Sequence, residues 1–436
     1  MAKEKSSSVE VVPLLEFLSQ LGQAYLACGE QTAIVEIILR GSATAYGVEK
    51  SKVIAFPTAL FLSLHDGEKE HITLAEGPTK NLRLDQIAEV YKIGDAAERG
   101  EVDPDEGLKS LTTILKKPAR FGVAGAVVGH IILSVGLAMV LTTTLPNLAA
   151  AALLGAIVGA LKSFHRGQPV LSIPLPVVAA GVVSTLVFLA IKWEYKIDPL
   201  YVLIPPLVTF LPGARLTLGM VELAFGDMVS GSSRLITGFV QLLLLVIGLV
   251  AGAVIVGYTA ADLVDAAKTT LEEQEFWWVG WLGVSVFGLG VYLHFSAPPG
   301  SLPWMLLVML VAFATQYYTA DLVGTTASGF FGMMVVTPLS YLIQFRFRGP
   351  PAMVTFLPSF WILVPGALSL VSVKTMLSDR EAGIDGMVTA LFAIVSIALG
   401  TLIGASLYKW VSDTLGWWQL QLGQVSQNLW QKSKRP

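Results

Sequence analysis

One long stretch of the chain carries no charged side chain, and it limits the class of protein that the chain can form. Residues 121–161 contain no Asp, Glu, Lys or Arg, whereas one membrane-spanning helix needs only about 20 apolar residues. The segment TTTLPN at residues 142–147 divides this stretch into two spans. Of the 436 residues, 14% are charged, against about 25% in soluble domains. The chain is therefore predicted to be an integral membrane protein.

Further apolar stretches bring the predicted number of transmembrane helices to ten. The third, fourth and fifth spans are predicted at residues 167–191, 199–218 and 235–261. The last five are predicted at residues 277–295, 302–320, 322–345, 352–373 and 386–410. The fold class is thus an α-helical polytopic membrane protein.

A ten-residue motif occurs twice, as PPLVTFLPGA at residues 205–214 and PSFWILVPGA at residues 358–367. The offset between the copies is constant, since 358 − 205 = 153 and 365 − 212 = 153. Paired apolar segments that are interrupted by Pro and Gly in two halves of a chain are typical of a transporter's binding site. We therefore predict a substrate site whose binding residues are Pro212, Gly213, Arg215, Pro365 and Gly366. The alternative is two helices that are kinked only for packing.

The two copies of the motif predict an inverted repeat. A unit of five spans has an odd number of helices, so its second copy must point the opposite way. The repeats are predicted at residues 118–262 and 277–411, with an acidic loop at 263–276 between them. Free N–H groups at a broken helix would suit a carboxylate, and free carbonyls would suit an ammonium or a cation. A zwitterionic amino acid offers both charges.

The distribution of Lys and Arg predicts the orientation in the membrane. With ten spans and both ends inside, all the basic clusters fall on one side, and the opposite loops are neutral or acidic. We expect the inner (plasma) membrane, with a cytoplasmic C-terminal tail at residues 412–436. The basic clusters are Lys116/Lys117/Arg120, Lys162/Arg166, Arg215/Arg234, Arg346/Arg348 and Lys432/Lys434/Arg435.

Ahead of the membrane region we predict a disordered tail at residues 1–12 and a cytoplasmic α+β domain at residues 13–117. Helices are predicted at residues 14–26, 33–46 and 84–99, and a last helix from Asp103. A strand at residues 53–64 is predicted to pair with residues 70–74 across a turn that starts at His65. No signal peptide is visible, which indicates a cytoplasmic N-terminus.

This domain offers little sign of chemistry. The single cysteine, Cys28, excludes an intramolecular disulfide. His65, Asp66 and His71 could ligate a metal, but residues beside a hairpin turn are more often exposed loop residues. No catalytic constellation, cofactor motif or basic face for nucleic acid is present, and we predict no catalytic residue, cofactor or metal site.

Few ionisable residues are expected at membrane depth, and the candidates include His130 in the first span and Glu222 and Asp227 after the first Pro-Gly-Ala. An intramembrane charge is costly and is treated as functional by default, so His130, Glu222 and Asp227 are predicted to couple transport to protons. For Glu222 and Asp227 the alternative is a cytoplasmic loop, paired with Arg215 or Arg234. For His130 the alternative is a hydrogen-bonded packing residue.

Small residues at four-residue spacing recur in the spans. Their predicted role is close packing of helices rather than binding. The pairs are Gly125/Gly129, Gly155/Gly159, Gly248/Gly252 and Gly400/Gly404.

Three stretches resemble the threonine/serine exporter family. Residues 21–48 resemble its pattern of a glycine, a glutamate in a helix and Gly-Val. Residues 82–122 resemble its Leu-Asp helix, Gly-Glu turn and proline before the first span. Residues 205–235 carry its Pro-Gly, Glu-Leu, glycine pair and Arg-Leu. One departure is the first span, where this chain has GVAGAVVGH at residues 122–130.

The resemblance implies a cytoplasmic N-terminal domain, ten membrane helices, and export of small hydrophilic amino acids driven by the proton motive force. No Walker A motif for ATP is present. The expected partners are threonine, serine, protons and the lipid bilayer, and a homo-oligomer is compatible with the sequence. Charged positions that match the family pattern are Glu36, Arg215, Glu222, Asp227 and Arg234.

Three other functions stay open at this point. The first is export of small dicarboxylates such as succinate, with Arg215, Arg234 and Lys374 binding the anion. The second is a membrane-anchored hydrolase that acts through the N-terminal domain. The third is a passive channel.

Overall fold

The structure is a computed structural model that describes residues 10–77, 81–164, 174–258, 276–363 and 380–414. It is mostly helical, with one small β-sheet near the N-terminus. The chain divides into two compact units. The first contains residues 1–118, 222–230 and 409–436, and the second contains residues 119–221 and 231–408.

Four helices form most of the first unit: α1 (Val11–Ala27), α2 (Thr32–Ala45), α3 (Leu84–Glu98) and α4 (Pro104–Lys116). They confirm the predicted helices to within a few residues. α1 begins at Val11, so the boundary predicted at residue 12 falls inside this helix. Its buried face follows helical spacing and includes Leu14, Phe17, Leu18 and Leu21.

Sequence signals at the helix ends explain these bounds. Gly29, Gly47 and Gly100 follow α1, α2 and α3 with φ of 83°, 87° and 67°, a backbone conformation that favours glycine. At the start of α4, the Asp103 carboxylate accepts hydrogen bonds from the N–H groups of Asp105 and Glu106. This is an N-cap followed by a proline in the first turn.

The sheet has three antiparallel strands in the order β1 (Ser51–Phe56), β2 (Ala59–His65) and β3 (Glu70–Glu76). The predicted pairing across the turn after His65 is confirmed, since His65 pairs with Glu70. The single strand predicted at residues 53–64 is wrong, because it is two strands that turn at Pro57 and Thr58, where Phe56 pairs with Ala59. Proline lacks an N–H donor and fixes φ, so it suits a turn better than a central strand.

A carboxylate on α3 makes the first unit sensitive to pH. Burial and, to a smaller extent, the nearby Asp95 raise the pKa of Glu98 to about 7, while Arg99 opposes the shift. The folded-state pKa then lies above the ordinary value of 4.5. The folded state therefore binds more protons than the unfolded state in this window, and stability falls as pH rises from about 4.5 to 7.

We expect Glu98→Gln to remove this loss of folding stability. Because solvent screens the partly exposed carboxylate, the loss amounts to about 1–2 kcal/mol. The measurement is thermal unfolding of the detergent-solubilised chain at pH 5 and pH 8. The variant should change less between the two pH values than the wild type. Glu16→Gln, on the exposed face of α1, is the matched control and should follow the wild type. Equal pH dependence of wild type and Glu98→Gln would contradict the assignment.

The second unit is built from helices α5 to α16. α5 to α10 are Gly122–Leu141, Leu145–Phe164, Leu175–Lys192, Pro199–Leu207, Gly213–Ala224 and Met228–Val256, with a short 3₁₀ turn at Val208–Phe210 between α8 and α9. α11 to α16 are Trp277–His294, Leu302–Val323, Thr325–Phe345, Ala352–Phe356, Ser359–Ile362 and Arg380–Thr414. Residues 222–224 of α9, 228–230 of α10 and 409–414 of α16 belong to the first unit.

Within the described residues, seven helices are long and apolar enough to cross a membrane, or eight with the bent pair Tyr201–Phe210 and Gly213–Ala224 counted as one span. The chain is thus a polytopic membrane protein, with fewer such helices than the ten predicted. α11 falls short because it holds three Trp and four Gly, which are weakly hydrophobic. The predicted ninth span begins as two short helices, α14 and α15, and continues outside the described residues. α16 runs to Thr414, past the boundary predicted at residue 411.

α5 and α11 pack main chain against main chain at four glycines. A Cβ atom on Gly136 would lie 2.2 Å from the nitrogen of Phe287, and one on Gly290 would lie 2.2 Å from the nitrogen of Leu133. Towards the ends of the contact, Gly129 meets His294 and Gly283 meets Val140. As the residue number rises along α5 it falls along α11, so the two helices run antiparallel.

Two further pairs of glycines pack helices closely. Gly248 and Gly252 on α10 lie against the carbonyls of Val177 and Gly181 on α7, and Gly400 and Gly404 on α16 lie against those of Phe330 and Met334 on α13. Added Cβ atoms would come within 2.2 to 2.9 Å of these oxygens. The predicted packing role of these pairs is confirmed.

Candidate functional site

The membrane helix is interrupted at the position where the first Pro-Gly-Ala motif predicts a break. Tyr201–Phe210 and Gly213–Ala224 are bent by 58° relative to each other. Pro205 and Pro206 lie at the end of α8, where a proline removes a backbone donor and the last carbonyls of a helix lack intrahelical partners. The carbonyl oxygen of Pro206 lies 3.0 Å from Nε2 of His130, which is fully buried on α5. The break thus presents a main-chain oxygen to an intramembrane histidine.

A lysine lies at the same break. Nζ of Lys162, on α6, is 2.8 Å from Oγ1 of Thr209 in the 3₁₀ turn. It is also 2.9 Å from Nε2 of His294, at the end of α11. We call Lys162, Thr209, His130 and His294 the break cluster. All four belong to the second unit.

Hydrogen bonding fixes the tautomers of the two histidines, whose ring centroids are 4.8 Å apart. Nδ1 of His294 lies 2.7 Å from the carbonyl oxygen of Ala126. A carbonyl can only accept, so Nδ1 carries the hydrogen and Nε2 accepts from Lys162. By the same argument Nε2 of His130 donates to Pro206. Nδ1 of a neutral His130 is then a buried acceptor, with no hydrogen-bond partner among the described residues.

Two aromatic rings lie near the ammonium group of Lys162. It lies 5.3 Å from the ring centroid of Phe210 and 5.8 Å from that of Phe295, within cation–π range. Phe295 stacks in turn on Trp361 of α15, with centroids 5.2 Å apart and planes 13° apart. Trp361 lies in the second copy of the motif. The second copy of the motif is therefore linked to the break cluster through Phe295.

The predicted binding residues fall partly inside the described chain. Gly213 begins α9 directly after Pro212. Nη1 of Arg215 donates to Oε1 of Gln241 at 2.8 Å, and Nε2 of Gln241 donates to the carbonyl of Phe210 at 2.5 Å. Arg215 is thus linked to the break through one glutamine. Pro365, Gly366 and Lys374 lie outside the described residues.

Glu222 and Asp227 lie in the first unit. Oε1 of Glu222 accepts from the backbone N–H of Thr32 at 3.1 Å and from its hydroxyl at 3.3 Å. Thr32 is the first residue of α2, so the Glu222 carboxylate caps this helix, and it is 1% exposed. Asp227 follows Gly226, whose φ is 91°, and its N–H donates to the carbonyl of Glu222.

Glu36, which also matches a charged position of the family pattern, has two neighbours in the structure. The carboxylate of Glu36 lies 2.6 Å from Arg40 and accepts from the N–H of Ala55 at 3.0 Å, which joins α2 to β1. Asp321 is exposed on α12. In the described part of the chain, no three His, Cys, Asp or Glu side chains are placed to hold a metal ion. His71 bonds to Asp66 at 2.7 Å across the hairpin.

Sequence reasoning singled out His130 but missed its neighbours. The sequence predicts Lys162 in a basic cytoplasmic loop, because it follows an apolar run, and it gives no sign that Thr209 and His294 lie beside it. One signal was available: the chain has five histidines, and His130 and His294 both lie in predicted spans.

Comparisons with known proteins point to one family. The family model described as "Putative threonine/serine exporter" matches residues 16–256. "Threonine/serine exporter" of Corynebacterium glutamicum is 22% identical over 424 residues, which cover 93% of this chain and 84% of that protein. "Pheromone-regulated membrane protein 10" of Eremothecium gossypii is 24% identical over 216 residues, which cover 45% of this chain. No solved structure matches the chain.

The extent of these matches differs. The chain spans 28% of the length of the Eremothecium protein. The family model covers 241 of the 436 residues, since 256 − 16 + 1 = 241. That range includes most of α1, the helices α2 to α4, the sheet, His130, Lys162 and the whole first copy of the motif. The chain belongs to the threonine/serine exporter family.

Proposed function

We propose that the protein is a secondary active transporter that exports threonine, serine and similar small hydrophilic amino acids from the cytoplasm in exchange for protons. The observation that carries this proposal is the break cluster, which places a lysine, two histidines and the main-chain carbonyl of Pro206 at a broken helix. Broken helices with exposed backbone groups are where secondary transporters bind small polar solutes. Pro212, Gly213, Arg215, Pro365 and Gly366 are proposed to line this site.

The architecture proposed for this function is ten membrane helices in two inverted five-helix repeats. The glycine contacts support it, because adding about 153 to the residue numbers of one contact gives another. Gly248 against Val177 becomes Gly400 against Phe330. Gly136 against Phe287 and Gly290 against Leu133 are exchanged by an offset of 154, since 290 − 136 = 154 and 287 − 133 = 154. Helices that are equivalent and antiparallel are what an inverted repeat requires.

The proposed location is the inner (plasma) membrane with both termini in the cytoplasm. The support is the distribution of Lys and Arg among the loops. Copies of the chain could associate, and nothing in the proposed mechanism depends on it.

A direct test is counterflow into proteoliposomes that contain the purified full-length chain. Vesicles are loaded with unlabelled threonine, serine or succinate, and uptake of labelled threonine and, in parallel, of labelled succinate is followed. Threonine and serine should each drive uptake, and an imposed pH gradient should change the rate. Exchange of succinate alone would replace the amino-acid assignment by the dicarboxylate alternative. An uptake rate that does not change with the imposed pH gradient would reject proton antiport.

His130 is the residue we propose for proton coupling, because its buried Nδ1 lies at the break. The predicted coupling roles of Glu222 and Asp227 stay predictions. We expect His130→Gln to exchange threonine but to lose the acceleration by a proton gradient, since an amide does not take up a proton at neutral pH. His71→Gln, on the exposed hairpin, is the control. A His130→Gln variant with a wild-type gradient response would contradict this role.

A further inference from the structure

A groove opens in the first unit between α1, β3 and α4. Its volume of about 350 Å³ is at the lower end of the range of about 300–1,000 Å³ for ligand pockets. We infer that this groove binds a small hydrophilic ammonium compound of amino-acid size. All of its residues belong to the first unit, so the inference goes beyond the transport site proposed above. Its polar lining residues are Glu16, Ser19, Gln20, Gln23, Thr73 and Thr112.

One side of the groove is a polar stripe on α1. Its members are spaced i, i+3, i+4 and i+7, which puts side chains on one face of a helix. Such a face usually lies in bulk solvent, but three of the four side chains are only partly exposed, because β3 and α4 also line the groove. The stripe therefore offers hydrogen-bonding groups in a partly enclosed place, which suits a hydrophilic ligand better than a packing contact. The four residues are Glu16, Ser19, Gln20 and Gln23.

Hydrogen bonding fixes the orientation of the Gln20 amide. The hydroxyl of Thr112 donates to the carbonyl of Leu108 at 2.9 Å. Its oxygen can then only accept from Gln20, whose Nε2 lies 3.5 Å away. Oε1 of Gln20 is left as an acceptor, and it is buried with no hydrogen-bond partner among the described residues. Because a buried acceptor without a donor is unfavourable, the groove is suited to a ligand that donates hydrogen bonds.

The charge of the groove selects the sign of the ligand. Glu16 is the one charged residue among the described residues that line it. Glu16 and Gln20 are four residues apart on α1, so their side chains are neighbours. An ammonium group carries three donors, and it can donate to the amide oxygen of Gln20 and form a charge-assisted bond to the carboxylate of Glu16. An anion such as succinate would meet only a negative charge.

Neutral groups can hold the remainder of an amino acid. The hydroxyls of Ser19 and Thr73 line the groove, and each can donate or accept. Nε2 of Gln23 donates to the carbonyl of Glu76 at 3.0 Å, and an amide nitrogen has a second hydrogen. These groups can pair with a carboxylate or a hydroxyl of the ligand, but none of them requires a charge there. The ammonium is therefore the group that the site recognises.

Hydrogen exchange of the full-length chain in detergent, measured by mass spectrometry, tests the site. The probes are threonine, the amino alcohol in which a hydroxymethyl group replaces its carboxylate, N-acetylthreonine and succinate. Threonine and the amino alcohol should slow exchange in peptides that contain residues 16–23, 70–76 and 108–112. At about ten times the dissociation constant, amides that exchange only from a state that cannot bind should exchange about tenfold more slowly. N-acetylthreonine and succinate should have no effect on these peptides.

Two variants make the result specific. Glu16→Gln removes the charge with little change of shape and should raise the dissociation constant for threonine at the groove by at least about fivefold. Gln20→Met removes the buried acceptor at nearly constant length and should weaken binding by a similar factor. Glu68→Gln is the matched control, because Glu68 is exposed on the hairpin of the same unit and loses the same charge. Size-exclusion profiles and thermal unfolding establish that the variants are folded.

The outcomes separate a ligand site from a groove that holds only water. Unchanged exchange of the wild type with threonine and with the amino alcohol would overturn the site. Equal slowing by threonine and N-acetylthreonine would overturn the assignment of the ammonium. Slowing by threonine in the second unit alone would support the proposed transport function and overturn this inference. Slowing that is unchanged in both Glu16→Gln and Gln20→Met would show that threonine does not occupy the groove.

Discussion

Replacing Gly136 by leucine is expected to abolish accumulation of folded protein. The Cβ atom alone would lie 2.2 Å from the nitrogen of Phe287 on α11, and main chain cannot move aside as a flexible side chain can. α5 and α11 would have to separate along their length. We expect a loss of at least about 3 kcal/mol, at the upper end of overpacking costs. Fluorescence-detected size-exclusion chromatography and thermal unfolding in detergent measure the effect.

The proposed repeat makes this prediction sharper. Gly290→Leu should be as damaging as Gly136→Leu, because its Cβ would also lie 2.2 Å from a main-chain nitrogen. Gly181→Ala is the matched control, since the nearest atom to its Cβ is a carbonyl oxygen at 3.5 Å, an ordinary contact. It should be neutral or slightly stabilising, because alanine favours a helix over glycine. A well-folded Gly136→Leu would show that α5 and α11 do not pack this closely.

Replacing Glu222 by leucine is expected to destabilise the first unit at α2. The substitution removes the acceptor of the Thr32 N–H and hydroxyl in a buried place, and an unsatisfied buried donor costs about 1–3 kcal/mol. Loss of a negative charge at a helix N-terminus adds to this. Hydrogen exchange of the amides at the start of α2 should become about tenfold faster or more.

Glu222→Gln distinguishes a cap from a proton carrier. Glutamine keeps an oxygen that can accept from Thr32, so a capping role predicts near-normal exchange protection and a retained response to the proton gradient. Glu36→Gln is the control, as the carboxylate of Glu36 also accepts from a main-chain N–H, that of Ala55. Loss of the gradient response in Glu222→Gln with normal protection of α2 would establish Glu222 as the coupling group.

Much of the local structure follows from the sequence. Positive-φ glycines end three helices, Asp103 begins the fourth, and the apolar runs give several of the spans to within a few residues. The error in the sheet has a local cause, because a run of strand formers hid the turn at Pro57. The helix break was predictable because prolines and glycine determine the conformation of their own backbone, whatever lies around them.

The composition of the candidate site was not predictable in this way. Hydropathy places a residue along one span but does not show which spans are neighbours. α5 and α11 are far apart in sequence, and their contact depends on glycines that give no apolar signal. That contact brings His130 and His294 together. Lys162 reads as a loop residue until α8 and α11 are placed beside it.

The contact between α5 and α11 has a consequence for movement. Interlocked side chains resist sliding, because each must change rotamer before its neighbour can pass. Where glycines bring main chain against main chain, few side chains have to change rotamer when one helix rotates relative to the other. A carrier that alternately opens to each side of a bilayer needs helices that can rotate relative to one another. His130 and His294 lie at one end of this glycine contact.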